Sequence, residues 1–142
     1  MILMDVNVLV YARREDVRDH LAYREWVESV INSNTAYAYS GLVLSGFVRV
    51  VTHPKVFEQP SSLDVAMAFT EQIRSAHQAV GLSPGKNHWG IFRQLLKQIS
   101  AKGNDVADAY HAALALEWGC DWVTTDKGFR RFNGLRVRHP LR

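Results

Sequence analysis

The sequence predicts an α/β fold, a mainly parallel sheet of four to five strands with helices on both faces. Three observations support this. Short apolar runs alternate with longer amphipathic stretches along the 142 residues, which is the pattern of successive βα units. Turn residues separate them at His53-Pro54, Gln59-Pro60-Ser61-Ser62, Ser83-Pro84-Gly85, Lys102-Gly103-Asn104 and Asn133-Gly134. A composition of 47% hydrophobic and 22% charged residues is ordinary for a folded chain, long enough to bury a core as one domain.

The elements follow in order. Ile2–Met4 reads as a short buried strand, and roughly Val8 to Ile31 as helix, with Leu21, Trp26, Val27 and Val30 forming an apolar stripe. Tyr37–Tyr39 is a second strand and Leu42–Val51 a short apolar helix. Ser61-Ser62-Leu63-Asp64 has capping-box spacing and opens a helix reaching about His77. Val80–Leu82 is a third strand, His88 to Ala101 a helix and Val106–Trp118 an Ala-rich helix. Trp122-Val123-Thr124 is a strand, and Leu135–Arg138 a final edge strand. No repeat, linker or low-complexity stretch interrupts this order.

Composition also narrows function. A single cysteine, Cys120, leaves no internal disulfide and suits a reducing cytoplasm. No apolar run is long enough for a membrane span, and the N-terminus has an acid inside its apolar run and no basic lead. From Lys127 onward come six bases and no acid, whereas residues 1–126 carry eleven bases against fourteen acids, net −3. A basic tail following Asp126 fits an anionic partner, nucleic acid above all, or simply a solvated surface segment.

In parallel sheets ligands gather at the carboxyl ends of the strands. Asp5 follows the first strand and Asp126 follows the Trp122 strand, so both belong at that edge. Asp108 lies in the first turn of the Val106–Trp118 helix, whose N-terminus faces the same edge if it runs antiparallel to the strand it precedes. Three ionised carboxylates brought together repel unless a cation neutralises them. Hard divalent ions such as Mg²⁺ or Mn²⁺ suit an all-oxygen set and lower the pKa of water that can attack phosphorus. Each acid also has a plain structural reading. Asp105 and Asp108 suit N-cap and N3 positions, and Asp126 suits a turn. Asp5 is harder to place so, because a carboxylate ending a buried strand is costly without a partner. Asn7 reads either as a helix cap or as a group orienting Asp5.

Other constellations are weaker. No HExxH, CxxC, GxGxxG or Walker loop is present, and the six histidines are scattered. His88-Trp89 suits base stacking or, more simply, core packing. Cys120 reads as a small buried apolar residue. The Leu42–Val51 helix and Pro54–Phe57 suit either a partner surface or the core.

Three blocks, MILMDVNVLVYA, LSGFVRVVTHPKVF and GNDVADAYHAALALEWGCDWVTTDKGFRRFNGLR, resemble the PIN-domain family, specifically the VapC-type toxins of bacterial toxin–antitoxin pairs. The resemblance runs from Met1 to about Arg136. It implies a three-layer α/β/α fold, Mg²⁺-dependent endoribonuclease activity with Mn²⁺ as a substitute, a homodimer and an antitoxin partner. It places Asp5 and Asp108 at the principal metal-binding positions and Asp126 at a further acidic one. Asn7, Asp105 and Thr125 are accessory candidates, and Arg130, Arg131, Arg136 and Arg138 are candidates for holding the RNA backbone.

Two departures stand out. Many relatives have Glu where this chain has Gly46, and a second acid where it has Gly128. Asp105, three residues before Asp108 on a similar helical face, is expected to substitute in part. The expected site is therefore open and weakly metal-binding when free. Two alternatives remain: a metal-free RNA-binding or interaction module, and a DNA nuclease or phosphatase using the same acids.

Overall fold

The computed structural model describes residues 1–142. Five parallel strands form one sheet: β1 (Ile2–Met4), β2 (Tyr37–Ser40), β3 (Ala79–Leu82), β4 (Asp121–Val123) and β5 (Val137–Arg138), in spatial order β3-β2-β1-β4-β5. β1 pairs with β2 through Leu3 and Ala38, and with β4 through Ile2–Asp121, Leu3–Trp122 and Met4–Val123. Six helices complete the fold: α1 (Val6–Arg13), α2 (His20–Asn32), α3 (Gly41–Val51), α4 (Leu63–Ser75), α5 (His88–Gln98) and α6 (Asn104–Trp118). A 3-10 turn at Lys127–Arg131 joins β4 to β5.

Strand order decides where the helices lie. Right-handed crossovers from β1 out to β2 and then β3 put α1–α4 on one face. The return from β3 to β4 runs the other way and puts α5 and α6 on the opposite face. Packing agrees: α1 lies against α2 and α3, α3 against α4, and α5 against α6. The chain reverses direction between β1 and β4, and their carboxyl ends open a crevice there.

The centre of the sheet is fully buried. Leu3, Ala38, Trp122 and Val123 are 0% exposed, as are Ala109, Ala112, Ala113 and Ala115 of α6. These small side chains let α6 sit close over β4, where larger ones would hold it away. No helix is long and apolar enough to cross a membrane.

Several boundaries differ from the expected ones. The helix expected over Val8 to Ile31 is two helices, broken at Arg14–Asp19. This polar stretch has no apolar face to bury; Arg14 pairs with Asp16 at 2.6 Å, and Asp19 takes a left-handed φ of 61°. The buried stripe of α2 is His20, Tyr23, Val27 and Ile31, and Leu21 is exposed. Ser62, not Ser61, caps α4 by accepting from the Val65 N–H. The Ser61 hydroxyl instead accepts from Arg14. In α3 the residues Val43, Leu44, Phe47 and Val51 are core, while Leu42 and Val56 beyond the helix stand exposed.

Candidate active site at the carboxyl edge of the sheet

β1 ends at Met4, and Asp5 follows it as the N-cap of α1. Its backbone N–H extends the ladder to Val123 O at 2.9 Å, and its carboxylate caps the helix by accepting from Val6 N–H at 2.6 Å. The second oxygen accepts from the Thr124 hydroxyl at 2.6 Å. Asp5 is 7% exposed. Burial raises its pKa from 3.8 to about 6; the charges of Asp108 and Asp126 push the same way, while the bonds from Thr124 and Val6 oppose it.

Asp126 begins the 3-10 turn and accepts from Gly128 N–H at 2.7 Å. Asp108 lies in the second turn of α6, half-buried, with its pKa raised by burial and held down by Arg131. The guanidinium of Arg131 spans two acids, reaching Asp108 Oδ2 and Asp105 Oδ1 at 3.1 Å each. It also donates to Gly128 O at 2.5 Å, and its Cζ lies 4.6 Å from the Phe132 ring centroid.

Asp5, Asn7, Asp108 and Asp126 line one open cleft of about 430 Å³, with an apolar wall that includes Val10, Tyr11 and Phe57. All the acids are oxygen donors suited to a hard divalent ion, and Asp5, its pKa raised chiefly by burial, has no side-chain cation paired with it. The donor set fits such an ion. Yet no three acidic, histidine or cysteine side chains close around a single point. One oxygen of Asp108 is held by Arg131 and one of Asp126 by Gly128, which keeps the set open.

The accessory residues are placed differently from expectation. Asn7 does not cap α1, since Asp5 does; instead it ties α1 to β4, accepting from Thr125 N–H and donating to the Thr124 hydroxyl, both at 3.4 Å. Thr125 offers only its backbone there. The hydroxyl at the centre is that of Thr124, which also accepts from Asp126 N–H at 3.0 Å. Sequence reading missed Thr124. The signal was present in the Thr124-Thr125-Asp126 run, where strand alternation turns only one of the two threonines inward. Asp105 and Asp108 are neither N-cap nor N3, because α6 begins one residue after Gly103.

The basic tail divides. Arg131 is inside the acid cluster, and Arg130 is exposed on the turn beside it. Arg136 and Arg138 instead reach Asp121, at 2.5 and 3.5 Å, at the amino end of β4. That is the edge of the sheet opposite the cleft, so these two do not flank the acids. Gly128 lies against Asp126, and Gly46 lies against Val6, which lines the cleft. A Cβ at position 46 would meet Val6 Cγ2 at 3.0 Å, and one at 128 would meet Asp126 Oδ1 and Arg131 Nη1 at 2.9 Å.

Known proteins resemble this chain in sequence and in fold. VapC ribonuclease Mb2897 of Mycobacterium bovis is 46% identical over 141 residues, covering 99% of this chain and 96% of the relative. Ribonuclease VapC25 of Mycobacterium tuberculosis is 34% identical over 142 residues, covering 99% and 100%. A chain in the crystal structure of VapBC2 from Rickettsia felis, bound to a DNA fragment from their promoter, superposes with a TM-score of 0.67 at 21% identity, covering 98% of each chain. The PIN domain profile matches residues 2–135. With a profile spanning nearly the whole sequence and a relative sharing almost half its residues from end to end, the chain belongs to the PIN-domain family, in its VapC-type branch.

Proposed function

We propose that this chain is a metal-dependent endoribonuclease and the toxin partner of an antitoxin protein, with Asp5, Asp108 and Asp126 as the acids that hold Mg²⁺, or Mn²⁺ in its place. The observation that carries this reading is the set of three carboxylates on one cleft at the β1–β4 switch point. The names of its relatives as VapC ribonucleases supply the substrate class. When bound, the ion supplies Lewis acidity to the phosphodiester and to water.

The chain's own groups prepare that reaction. Thr124 and Val6 fix both oxygens of Asp5, so the carboxylate meets its ligand in one orientation. Arg131 neutralises part of the acid cluster and presents a cation to an incoming phosphate. Water adds to phosphorus and the bond to the 3′ oxygen breaks, leaving a 5′-phosphate and a 3′-hydroxyl. Leu42 on α3 and Val56 on the cleft wall, both exposed, suit contact with the antitoxin or with a second copy in a homodimer.

Cleavage of RNA that requires Mg²⁺ or Mn²⁺, stops with EDTA and is lost in both Asp5→Ala and Asp108→Ala is the expected outcome. Full activity in either folded variant would overturn the assignment. A second reading, a PIN fold that binds RNA without cutting it, is favoured by Gly46, Gly128 and the open acid set. RNA binding with no EDTA-sensitive cleavage would select it.

A further inference from the structure

We propose that the exposed face of α5 is a track for single-stranded RNA leading away from the acid cleft, with Trp89 as its base-stacking platform. This rests on the ribonuclease reading above. The His88-Trp89 pair divides in the structure. His88 is 2% exposed and fixed on Tyr110 O at 3.0 Å, so it is core. Trp89 is 63% exposed, and its ring leans on Phe92 at a centroid distance of 5.3 Å, which limits its motion and leaves its other surface open.

Trp89, Arg93 and Lys97 recur at intervals of four residues and are all exposed, so they share one side of the helix. They span about 12 Å along the axis, at 1.5 Å per residue. Between Arg74 and Asp105 the chain has four bases, Lys86, Arg93, Lys97 and Lys102, and no acid. None of the four has a carboxylate within ion-pairing distance. On the neighbouring helix, Glu117 is committed to the backbone N–H groups of Gly85 and Asn87, and Asp105 to Arg131 and the Lys102 N–H.

The face also leads to the cleft. Gln98, the last residue of α5, donates to Arg131 O at 2.9 Å and accepts from Asn133 N–H. The other end of Arg131 holds Asp105 and Asp108. Unpaired cations alone would suit any anion. A rigid exposed indole in line with them selects a strand whose bases are free to stack.

The test uses the full chain carrying Asp5→Asn to prevent cleavage, and a labelled single-stranded oligoribonucleotide of mixed sequence, with binding read by fluorescence anisotropy. Trp89→Ala should weaken binding roughly 5- to 100-fold and Trp89→Phe much less, as expected for stacking. Arg93→Ala and Lys97→Ala should each lower the salt slope by about 1. Circular dichroism checks that the variants fold. Unchanged binding in Trp89→Ala, with the parent still binding RNA, overturns the track alone. A change in oligomeric state in sedimentation assigns the face to a protein contact and also overturns it. An Asp5→Asn parent that binds no RNA, with a wild type that cleaves none, overturns the ribonuclease reading itself.

Discussion

Thr124 and Asp5, 119 residues apart, share a buried hydrogen bond of 2.6 Å in which the hydroxyl donates to the carboxylate. A donor of this kind favours the ionised acid. Thr124→Val should therefore move the Asp5 pKa above its present value of about 6. The acidic limb of the pH–rate profile for RNA cleavage should move to higher pH with it. Thr125→Val, which leaves the backbone bond to Asn7 intact, should leave that limb in place.

Asp5 also destabilises the fold that carries it. Its folded pKa of about 6 lies above the 3.8 of an exposed aspartate, so the native state holds this proton more tightly than the unfolded chain. The penalty is absent below pH 3.8, grows as pH rises and is complete above about pH 6. It amounts to about 3 kcal/mol. Asp5→Asn should accordingly resist urea better than wild type at pH 8 and equally at pH 4, while losing cleavage.

His111 acts in the opposite sense. Burial lowers its pKa from 6.5 to about 4, and its Nδ1 has no hydrogen-bond partner. Its contribution is complete above pH 6.5 and is lost as pH falls toward 4. The two slopes oppose each other between pH 4 and 6. Wild-type stability should look flat there, and His111→Phe, a ring that can still stack on Trp122, should expose the Asp5 slope in a urea series across pH.

Arg131 and Arg136 separate the two ends of the basic tail. Arg131→Ala removes the only side-chain cation on Asp108, so Mg²⁺ should bind the free protein several-fold more tightly by calorimetry while RNA cleavage slows. Arg136→Ala, at the far edge of the sheet, should change neither reading.

Gly46→Glu would add the carboxylate that the PIN-family resemblance leads one to expect at this position. Its Cβ meets Val6 Cγ2 at 3.0 Å, so the double variant with Val6→Ala should accept it best. Tighter Mg²⁺ binding in the double variant is expected; no change would show that position 46 does not address the ion.

The order and type of nearly every element were legible because apolar runs and turn residues mark them. Asp5 and Asp126 could be placed on one edge because each follows a strand of a parallel sheet, and Asp108 because its helix runs back along β4. What escaped depended on side-chain geometry. The break at Arg14–Asp19 needed the Arg14–Asp16 pair, and Ser62 displaced Ser61 once Arg14 had claimed the other hydroxyl. Thr124 rather than Thr125 follows from the phase of a strand only three residues long. Arg136 and Arg138 looked like site residues because they are close to Asp126 in sequence. The turn to β5 carries their guanidinium groups to the opposite edge.

The pairing of β1 with β4 has a consequence in time. β1 leaves the ribosome first, and β4 follows on the order of ten seconds later at ordinary rates of synthesis. Until then Asp5 has neither the Thr124 hydroxyl nor Asp126 beside it, and the cleft has only one wall. On the proposed assignment of these acids, a growing chain cannot cut RNA until β4 docks. Onset of activity is a docking event, and a core substitution that slows β4 insertion would delay it without touching any acid.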